Sequence, residues 1–292
     1  MNISKKDRLD ILIYNICNDN CNEQCKIEKL KLISNEYNVS IDKLHKRYEW
    51  LNNMGIDPNQ VHLEENHYLI YKIFDEYNKM LNENNIEYYY TSGILAYLLV
   101  NRELERYHHD LDVFINMNDL EKLEQVCNKY NFSFERKMGI REDGTKRVML
   151  KMYYSDQIDI PITVFMYIRR KDNSIIQKDY FIDENDHNYV EYIYNSPSIS
   201  ELSFSNYPNF HNKIKYYAIT PEALFLCKVG NRPKDIYDCT VFKHIVNIDK
   251  LKKLKEEFKH NLPNTILKAE DDEYSNYIFK NSIVKKVLVK HD

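Results

Sequence analysis

The sequence predicts an α+β fold, with a sheet and packed helices in the middle of the chain and helical regions at both ends. Two patterns support this: strand and helix signals alternate through residues 61–215, and helical apolar spacing dominates 1–60 and 216–292. The chain has 292 residues, of which 43% are hydrophobic, which is enough for a substantial core. We therefore divide the chain into an N-terminal helical region, a central domain and a C-terminal helical region.

Residues 1–60 are predicted to be helical, with a candidate helix-turn-helix. The segment 27–51, IEKLKLISNEYNVSIDKLHKRYEWL, indicates two helices joined by a turn at Asn38, with Ser40 as the N-cap of the second. One interpretation is DNA binding through the basic side chains of the second helix, which are Lys43, His45, Lys46 and Arg47. The interpretation we favour is a helical pair packed on the main domain. A turn at 54–60, MGIDPNQ, is a candidate linker.

Three cysteines, Cys17, Cys21 and Cys25, follow one another at intervals of four residues. On a single helix this spacing would place all three thiols on one face, where they could bind a soft metal with His45 as a fourth ligand. The alternative, which we favour, is a trio of partly exposed free thiols.

The middle of the chain predicts a succession of helices and strands. Predicted helices lie at 63–86, 94–101 and 117–130, and predicted strands lie at 87–91, 109–115, 132–137, 146–154 and 158–168. Turns are expected at Ser92-Gly93 and at 155–157, and the basic run 169–171 is expected to be a solvated hairpin end. That order is typical of an α/β or α+β sheet with helices packed on one side. From Thr220 onward the pattern returns to helices.

The charge and hydropathy of the chain exclude several classes. The net charge of −4 and the pI near 6.2 argue against a globally basic nucleic-acid-binding surface, so nucleic acid is not the favoured partner. No stretch approaches the roughly 18 apolar residues of a membrane span, and the first 17 residues do not resemble a signal peptide. We expect a cytoplasmic protein that does not interact with membranes.

Three aspartates lie in predicted strands. Asp110 and Asp112 are two residues apart, so both carboxylates are expected to face the same side of the sheet. Such a pair suits Mg2+ that also binds a substrate phosphate. Asp159, between two isoleucines in the strand IDIPI, is expected to lie near them and to complete a site for one or two metal ions.

The turn Ser92-Gly93 precedes a predicted apolar helix. A helix N-terminus presents free backbone N–H groups, and glycine allows a phosphate to approach the backbone closely. The turn, the helix and the Asp-x-Asp strand follow in that order. We therefore expect phosphates to lie between these backbone donors and a metal ion bound to Asp110 and Asp112.

These motifs resemble the nucleotidyltransferase superfamily related to DNA polymerase beta. The segment TSGILAYLLVNRELERYHHDLDVFI is most similar to the small-molecule branch, which includes the lincosamide and aminoglycoside adenylyltransferases. IDIPI and the C-terminal RPKDIYDC also resemble motifs of that branch, and the resemblance covers roughly residues 65–245. One departure is Ser92, which stands where the first glycine of the family motif usually lies. The resemblance implies a nucleotidyltransferase-type mixed sheet with packed helices.

The resemblance also implies roles for individual residues. Those expected to bind Mg2+ and carry catalysis are Asp110, Asp112 and Asp159, the last as a metal ligand or as a base. Those expected to hold the nucleotide are Thr91, Ser92, Gly93, Arg102 and Lys228, and Arg106 could also contact a phosphate. The alternative for Arg102 and Arg106 is a solvated charge at the end of a helix. Lys228 could face a phosphate or a carboxylate. The alternative for the charged residues nearby is a set of ion pairs that fix the C-terminal helix, formed by Arg232, Lys234, Asp235 and Asp238. His108 or His109 could orient an aspartate.

The predicted function is Mg2+-dependent transfer of a nucleoside monophosphate from an NTP, with ATP as the expected donor, to a hydroxyl of a small molecule such as an aminoglycoside or lincosamide antibiotic. The acidic segment 179–187, DYFIDENDH, favours a cationic acceptor. One alternative is a toxin-type nucleotidyltransferase that modifies tRNA or protein. Another is a DNA-binding regulator whose transferase domain senses a nucleotide.

Overall fold

A computed structural model describes residues 3–19, 21–140, 146–155, 157–169, 171, 175–183, 188–194, 200–228, 233–260 and 265–268. The helices are α1 Lys5–Cys17, α2 Glu23–Tyr37, α3 Ile41–Asn53, α4 Pro58–Val61, α5 Leu63–Glu83, α6 Leu95–Leu98, α7 Leu120–Cys127, α8 Pro221–Lys228, α9 Pro233–Phe242 and α10 Ile248–His260. The strands are β1 Tyr88–Thr91, β2 Leu111–Asn116, β3 Phe132–Ile140, β4 Lys146–Tyr154, β5 Gln157–Arg169, β6 Ile175–Asp183, β7 Asn188–Tyr194, β8 Asn209–His211, β9 Ile214–Tyr216 and β10 Thr265–Lys268.

The central sheet is mixed, which confirms the predicted α+β fold. Within the described residues its strands follow the order β1-β2-β5-β4-β6-β7-β10, and β3 pairs with β4. Strands β2 and β5 are parallel, whereas β1 and β4 run antiparallel to their neighbours. The connection from β2 to its parallel neighbour β5 includes α7 and the hairpin β3–β4, and β8 and β9 form a separate small hairpin.

Helix α5 is the main helical support of the sheet. Its buried face includes Leu69, Ile73, Tyr77 and Met80, spaced at three and four residues as an amphipathic helix requires. These residues belong to a large core that continues through the inward faces of β1, β2 and β5. This core fixes β1 and β2 against one helix, and the candidate site begins where these two strands end.

The N-terminal helices have a small core of their own, centred on Ile13, Leu30, Ile33 and Leu44. The predicted helix pair is confirmed: α2 ends at Tyr37, Asn38 adopts a left-handed φ of 52°, and Ser40 is the N-cap residue of α3. The second helix, however, does not present all of its basic side chains to solvent. Arg47 donates to buried Asp10 of α1 at 2.8 and 2.6 Å and lies over the ring of Trp50.

The three N-terminal cysteines do not share a helix, so that part of the metal prediction is wrong. Cys17 is the last residue of α1 and Cys25 lies in α2, because the first helix ends at Cys17 and Asn22 caps a second helix. Cys21 and Cys25 hydrogen-bond to each other, and Lys29 Nζ lies 3.7 Å from Cys21 Sγ. Within the described residues, no three side chains of the ligand types His, Cys, Asp and Glu are grouped to hold a metal.

Most of the other predicted elements are confirmed, with four differences. The helix after Ser92-Gly93 is a single turn, α6, and the predicted helix 117–130 consists of α7 between two short 3-10 turns. Strand β10, inside the C-terminal region predicted as helical, pairs with β7. Arg169, predicted as a solvated hairpin end, forms ion pairs with Glu87 and Glu201. Of the helices in the described ranges, none has the length and apolar character needed to cross a membrane.

Candidate active site

A cavity of about 360 Å3 lies where the ends of β1, β2 and β5 meet the C-terminal helices. Its lining includes most of the predicted site and several residues that the motifs did not single out. The lining residues are Ser92, Gly93, Arg106, His108, His109, Asp110, Asp112, Arg147, Met149, Thr163, Phe165, Lys228, Lys234 and Asp235. Positive and negative side chains thus line one open cavity, an arrangement suited to a charged ligand.

The register of the sheet places four polar residues side by side across it. Thr91 of β1 is opposite Asp112 of β2, Asp112 is opposite Thr163 of β5, and Thr163 is opposite Lys151 of β4. Lys151 Nζ donates to Thr163 Oγ1 at 2.6 Å, and Thr163 and Ser92 hydrogen-bond to Asp112. Asp110 precedes the first residue of β2, so only one of the two aspartates lies in the strand itself.

The negative charge of Asp110 opposes the ionisation of Asp112. Burial, and then the neighbouring charge of Asp110, raise the pKa of Asp112 to about 7, although Lys151 and the two hydroxyl groups act in the opposite direction. Burial also lowers the pKa of Lys151, while Asp110 and Asp112 partly restore it. A cation bound between the carboxylates would relieve this repulsion, and hard carboxylate oxygens are the ligands that Mg2+ prefers. Asp110 and Asp112 therefore fit a magnesium ion.

The Ser92-Gly93 turn differs from the prediction in its geometry. Ser92 adopts a left-handed φ of 68°, the conformation that glycine adopts most easily, and its side chain hydrogen-bonds to Asp112. Gly93 is closely packed, since a Cβ there would lie 3.1 Å from His108 Nδ1 and 3.2 Å from Arg106 Nη2 and would displace these side chains by a few tenths of an ångström. Helix α6 has only four residues, so a helix dipole contributes little to anion binding at this turn.

Helix α5 holds the segment before the aspartates. Asn66, fully buried, donates to the carbonyl of His108 at 2.7 Å and accepts from the His108 backbone N–H at 2.9 Å. His67 Nε2 lies 2.8 Å from the carbonyl of Arg106. Burial lowers the pKa of His108 to about 2, with Arg106 as the next cause, and lowers that of His109 to about 4 against the effect of Asp110. Both histidines are thus neutral at physiological pH, and the Asn66 clamp fixes the backbone two residues before Asp110.

A buried ion-pair network joins the C-terminal helices to this segment. Asp238, with no exposed surface, accepts from Arg106 at 2.9 and 2.7 Å and from Lys228 at 2.8 Å. Lys228 also donates to Asp235 at 3.0 Å, and the Tyr97 hydroxyl lies 3.4 Å from Asp238. Lys228 was expected to face a phosphate or a carboxylate, and in the structure it faces carboxylates. The ion pairs expected to fix the C-terminal helix are therefore present for Asp235 and Asp238.

Two of the predicted residues, Thr91 and Arg102, do not line the cavity, and two others, Asp159 and Arg232, fall where the structure describes no side chain. Thr91 is buried in β1 beside Asp112, and Arg102 is half exposed and paired with Glu105. Asp159 lies in β5, but its side chain is outside the described residues, and Arg232 lies outside them altogether. A metal site of three carboxylates therefore stays a prediction, whereas the pair Asp110 and Asp112 is in place.

The wall beyond the aspartates includes a positive charge that the sequence analysis missed. Arg147 of β4 donates to the nearly buried Asp179 at 2.7 Å and lies over the ring of Phe165. Asp179 begins the acidic segment that was expected to attract a cation, but it faces Arg147. The side chains of 181–187 are outside the described residues. Asp179 therefore does not support a cationic acceptor.

Lys151, Thr163 and Asn66 were also missed, although each carries a weak signal. Lys151 interrupts the apolar strand RVMLKMYY, and Asn66 falls on the apolar face of α5. A polar residue at a position that the periodicity assigns to the core marks either a partner or a site. Thr163 has no such signal, because threonine is common in strands.

The fold and the cavity together agree with the class indicated by the motifs, that of the nucleotidyltransferases. No model of a protein family and no curated protein matches the chain by sequence. Among solved structures, similar ones include the lincosamide antibiotic adenylyltransferase LnuA bound to lincomycin, at 17% identity and a TM-score of 0.40, covering 61% of this chain and 96% of that one.

Two further structures are of the antibiotic-resistance factor ANT(2'')-Ia. Its solution structure is 12% identical, with a TM-score of 0.44, and the match covers 66% of this chain and 92% of that one. Its complex with adenylyl-2''-tobramycin is 12% identical, with a TM-score of 0.42, covering 66% and 95% of the two chains. Each match spans nearly all of the other protein and leaves about a third of this chain outside.

Proposed function

We propose that this protein is a Mg2+-dependent nucleotidyltransferase that transfers a nucleoside monophosphate from an NTP, with ATP as the expected donor, to a hydroxyl of a small molecule. One observation carries the proposal. Asp110 and Asp112 lie in the same cavity as the Ser92-Gly93 turn and a group of cationic side chains. This combination provides ligands for a metal ion, backbone donors for phosphate and positive charge for a triphosphate.

In this proposal each part of the cavity has a separate task. Asp110 and Asp112 hold Mg2+, which supplies positive charge to the phosphates and orients them. The backbone at Ser92-Gly93 approaches the phosphates, and Lys234 adds charge from α9 at the cavity wall. Lys228 acts indirectly, because its ion pairs with Asp235 and Asp238 fix α9.

The reaction is an in-line displacement at the α-phosphorus. The acceptor hydroxyl oxygen forms a bond to phosphorus, the bond to the bridging oxygen of pyrophosphate breaks, and the hydroxyl proton passes to a base. Asp159 remains the proposed base or additional metal ligand. Because the nucleophile needs little activation beyond proton removal, positioning and charge stabilisation supply most of the catalysis.

The charges of the cavity favour an acceptor of low positive charge. Its lining contains four basic side chains, Arg106, Arg147, Lys228 and Lys234, and three acidic ones, Asp110, Asp112 and Asp235. A polycationic aminoglycoside prefers an acidic site, so a lincosamide is the better first candidate of the two proposed classes. Lincomycin and tobramycin, which occur in the structures described above, are the first pair of acceptors to test.

The test is calorimetric titration of non-hydrolysable ATP and GTP with and without Mg2+, for the wild type and Asp110→Asn/Asp112→Asn. The expected result is Mg2+-dependent binding of one nucleotide that the double variant loses. The matched control is Asp249→Asn, which removes an exposed carboxylate on α10. Folded wild-type protein that binds no nucleotide would overturn the proposal. Transfer to tRNA in place of small molecules would instead favour the toxin-type alternative.

A further inference from the structure

Lys151 is a cation linked by a short hydrogen-bond chain to one of the proposed metal ligands, Asp112. Its ammonium donates to Thr163 Oγ1 at 2.6 Å, and the Thr163 hydroxyl in turn hydrogen-bonds to the Asp112 carboxylate. The chain of two hydrogen bonds places the ammonium within about 6 Å of that carboxylate. The strand register keeps it there, because Lys151, Thr163 and Asp112 occupy adjacent positions on three neighbouring strands.

The Asp112 carboxylate has limited capacity for metal ions. An ionised carboxylate offers about four lone-pair sites, and the hydroxyls of Ser92 and Thr163 already hydrogen-bond to Asp112. In a two-metal site the ions lie about 3.5–4 Å apart and are bridged by shared ligands. The two hydroxyls leave about two sites on Asp112, and a second ion placed there would be repelled by the nearby ammonium.

We propose that Lys151, held against Asp112 by Thr163, supplies the positive charge that a second divalent cation would otherwise supply, so that the protein binds a single Mg2+ with its nucleotide. This inference rests on the proposed nucleotidyltransferase function. Lys151 is a positioning residue here, since it acts on the carboxylates and makes no contact with the reacting phosphorus. The charge of Lys151 and its hydrogen bond to Thr163 both contribute to this effect on the carboxylates.

The experiment counts bound metal directly. Mn2+ replaces Mg2+, and the free ion is measured by electron paramagnetic resonance during titration of the full chain with saturating non-hydrolysable ATP. The variants are Lys151→Gln, which removes the charge, Lys151→Arg, which keeps it, and Thr163→Val, which removes the tether. Lys122→Gln, an exposed lysine on α7, is the matched control.

The expected result is one Mn2+ per wild-type, Lys151→Arg and Lys122→Gln complex, and two per Lys151→Gln complex. Thr163→Val is expected to bind Mn2+ several-fold more tightly than the wild type, which keeps the proposal testable if Lys151→Gln does not fold. Two Mn2+ ions in the wild-type complex would overturn the proposal, as would a Lys151→Gln complex that still holds one. Nucleotide binding without Mn2+, or no binding at all, would overturn the proposed function and this inference with it.

Discussion

Arg106 and Asp238, separated by 132 positions in the chain, form a two-point ion pair in which Nε and Nη2 of the guanidinium donate to both carboxylate oxygens. The carboxylate is fully buried and Arg106 lines the cavity. This pair therefore connects the segment before Asp110 and Asp112 to helix α9, and its removal should affect both stability and the site.

Arg106→Gln is expected to destabilise the protein by about 3 kcal/mol, because it removes one of the two cations that pair with buried Asp238 and leaves Lys228 to balance both Asp235 and Asp238. The control is Arg102→Gln, four residues earlier, whose half-exposed pair with Glu105 should contribute less than about 1 kcal/mol. Urea unfolding of the two variants checks the difference. Equal losses of stability would contradict the assignment of Arg106 to a buried pair.

Asp112→Asn is expected to stabilise the ligand-free protein at pH 8 while abolishing metal binding. The pKa of Asp112 is raised to about 7, so between its unfolded value near 4 and pH 7 the folded state binds more protons than the unfolded state. Stability from this group is therefore greatest at low pH and falls as the pH rises toward 7. The asparagine variant should lack that fall, which thermal unfolding at pH 5 and pH 8 would reveal.

The size of this effect is expected to be a few kcal/mol, since each pKa unit corresponds to about 1.4 kcal/mol. Asp249→Asn, on the exposed surface of α10, serves as the control and should leave the pH dependence unchanged. A wild-type protein whose stability changes from pH 5 to pH 8 by the same amount as that of Asp112→Asn would show that burial and Asp110 do not raise the pKa of Asp112.

Substitutions of Ser92 separate backbone conformation from the hydroxyl group. Ser92→Ala keeps the left-handed φ of 68° and loses the hydrogen bond to Asp112, whereas Ser92→Gly loses the bond but relieves about 1 kcal/mol of backbone strain. We expect the glycine variant to be about 1 kcal/mol more stable than the alanine variant, measured by chemical unfolding. Identical stabilities would mean that the turn relaxes in the variants.

The affinity of a surface that contacts several DNA phosphates falls steeply as the salt concentration rises. We do not expect the N-terminal helices to bind DNA in this way. Arg47 is paired with Asp10, and Lys46 is paired with Asp42 on the same helix. Fluorescence anisotropy with duplex DNA at increasing salt, using the wild type and Lys43→Gln/Lys46→Gln, would test this. The regulator alternative would be favoured if the logarithm of the DNA-binding constant fell with the logarithm of the salt concentration at a slope of several units, and if the double variant reduced that slope.

Local patterns were sufficient to predict the elements near the site and the order of its motifs. The apolar spacing in α5, the short strand β1 and the Asp-x-Asp segment all follow from side chains within a few positions of one another. Prediction was weaker where tertiary contacts decide the outcome. The helix after Gly93 stops at Leu98. Cys17 ends α1, Cys25 lies in α2, and Cys21 lies between the two helices, because Asn22 caps a new helix.

The supporting residues of the site depend on sheet register, which one sequence does not reveal. Lys151 lies near Asp112 only because Thr163 of β5 is paired with Asp112 on one neighbouring strand and with Lys151 on the other. Likewise, Asn66 can be recognised as a clamp only when α5 is known to pack beside the His108 backbone. Both residues break an apolar pattern, which identifies them as polar residues in need of partners but does not name those partners.

The separation of Arg106 and Asp238 in the sequence determines when, during synthesis of the protein, the segment before Asp110 can be fixed. A ribosome must produce 132 further residues after Arg106 before the carboxylate that fixes it exists. Contacts of such long sequence separation form late and slow folding. A nascent or prematurely terminated chain that ends before α9 therefore contains both aspartates of the Asp-x-Asp motif but lacks the partner that anchors the segment before them.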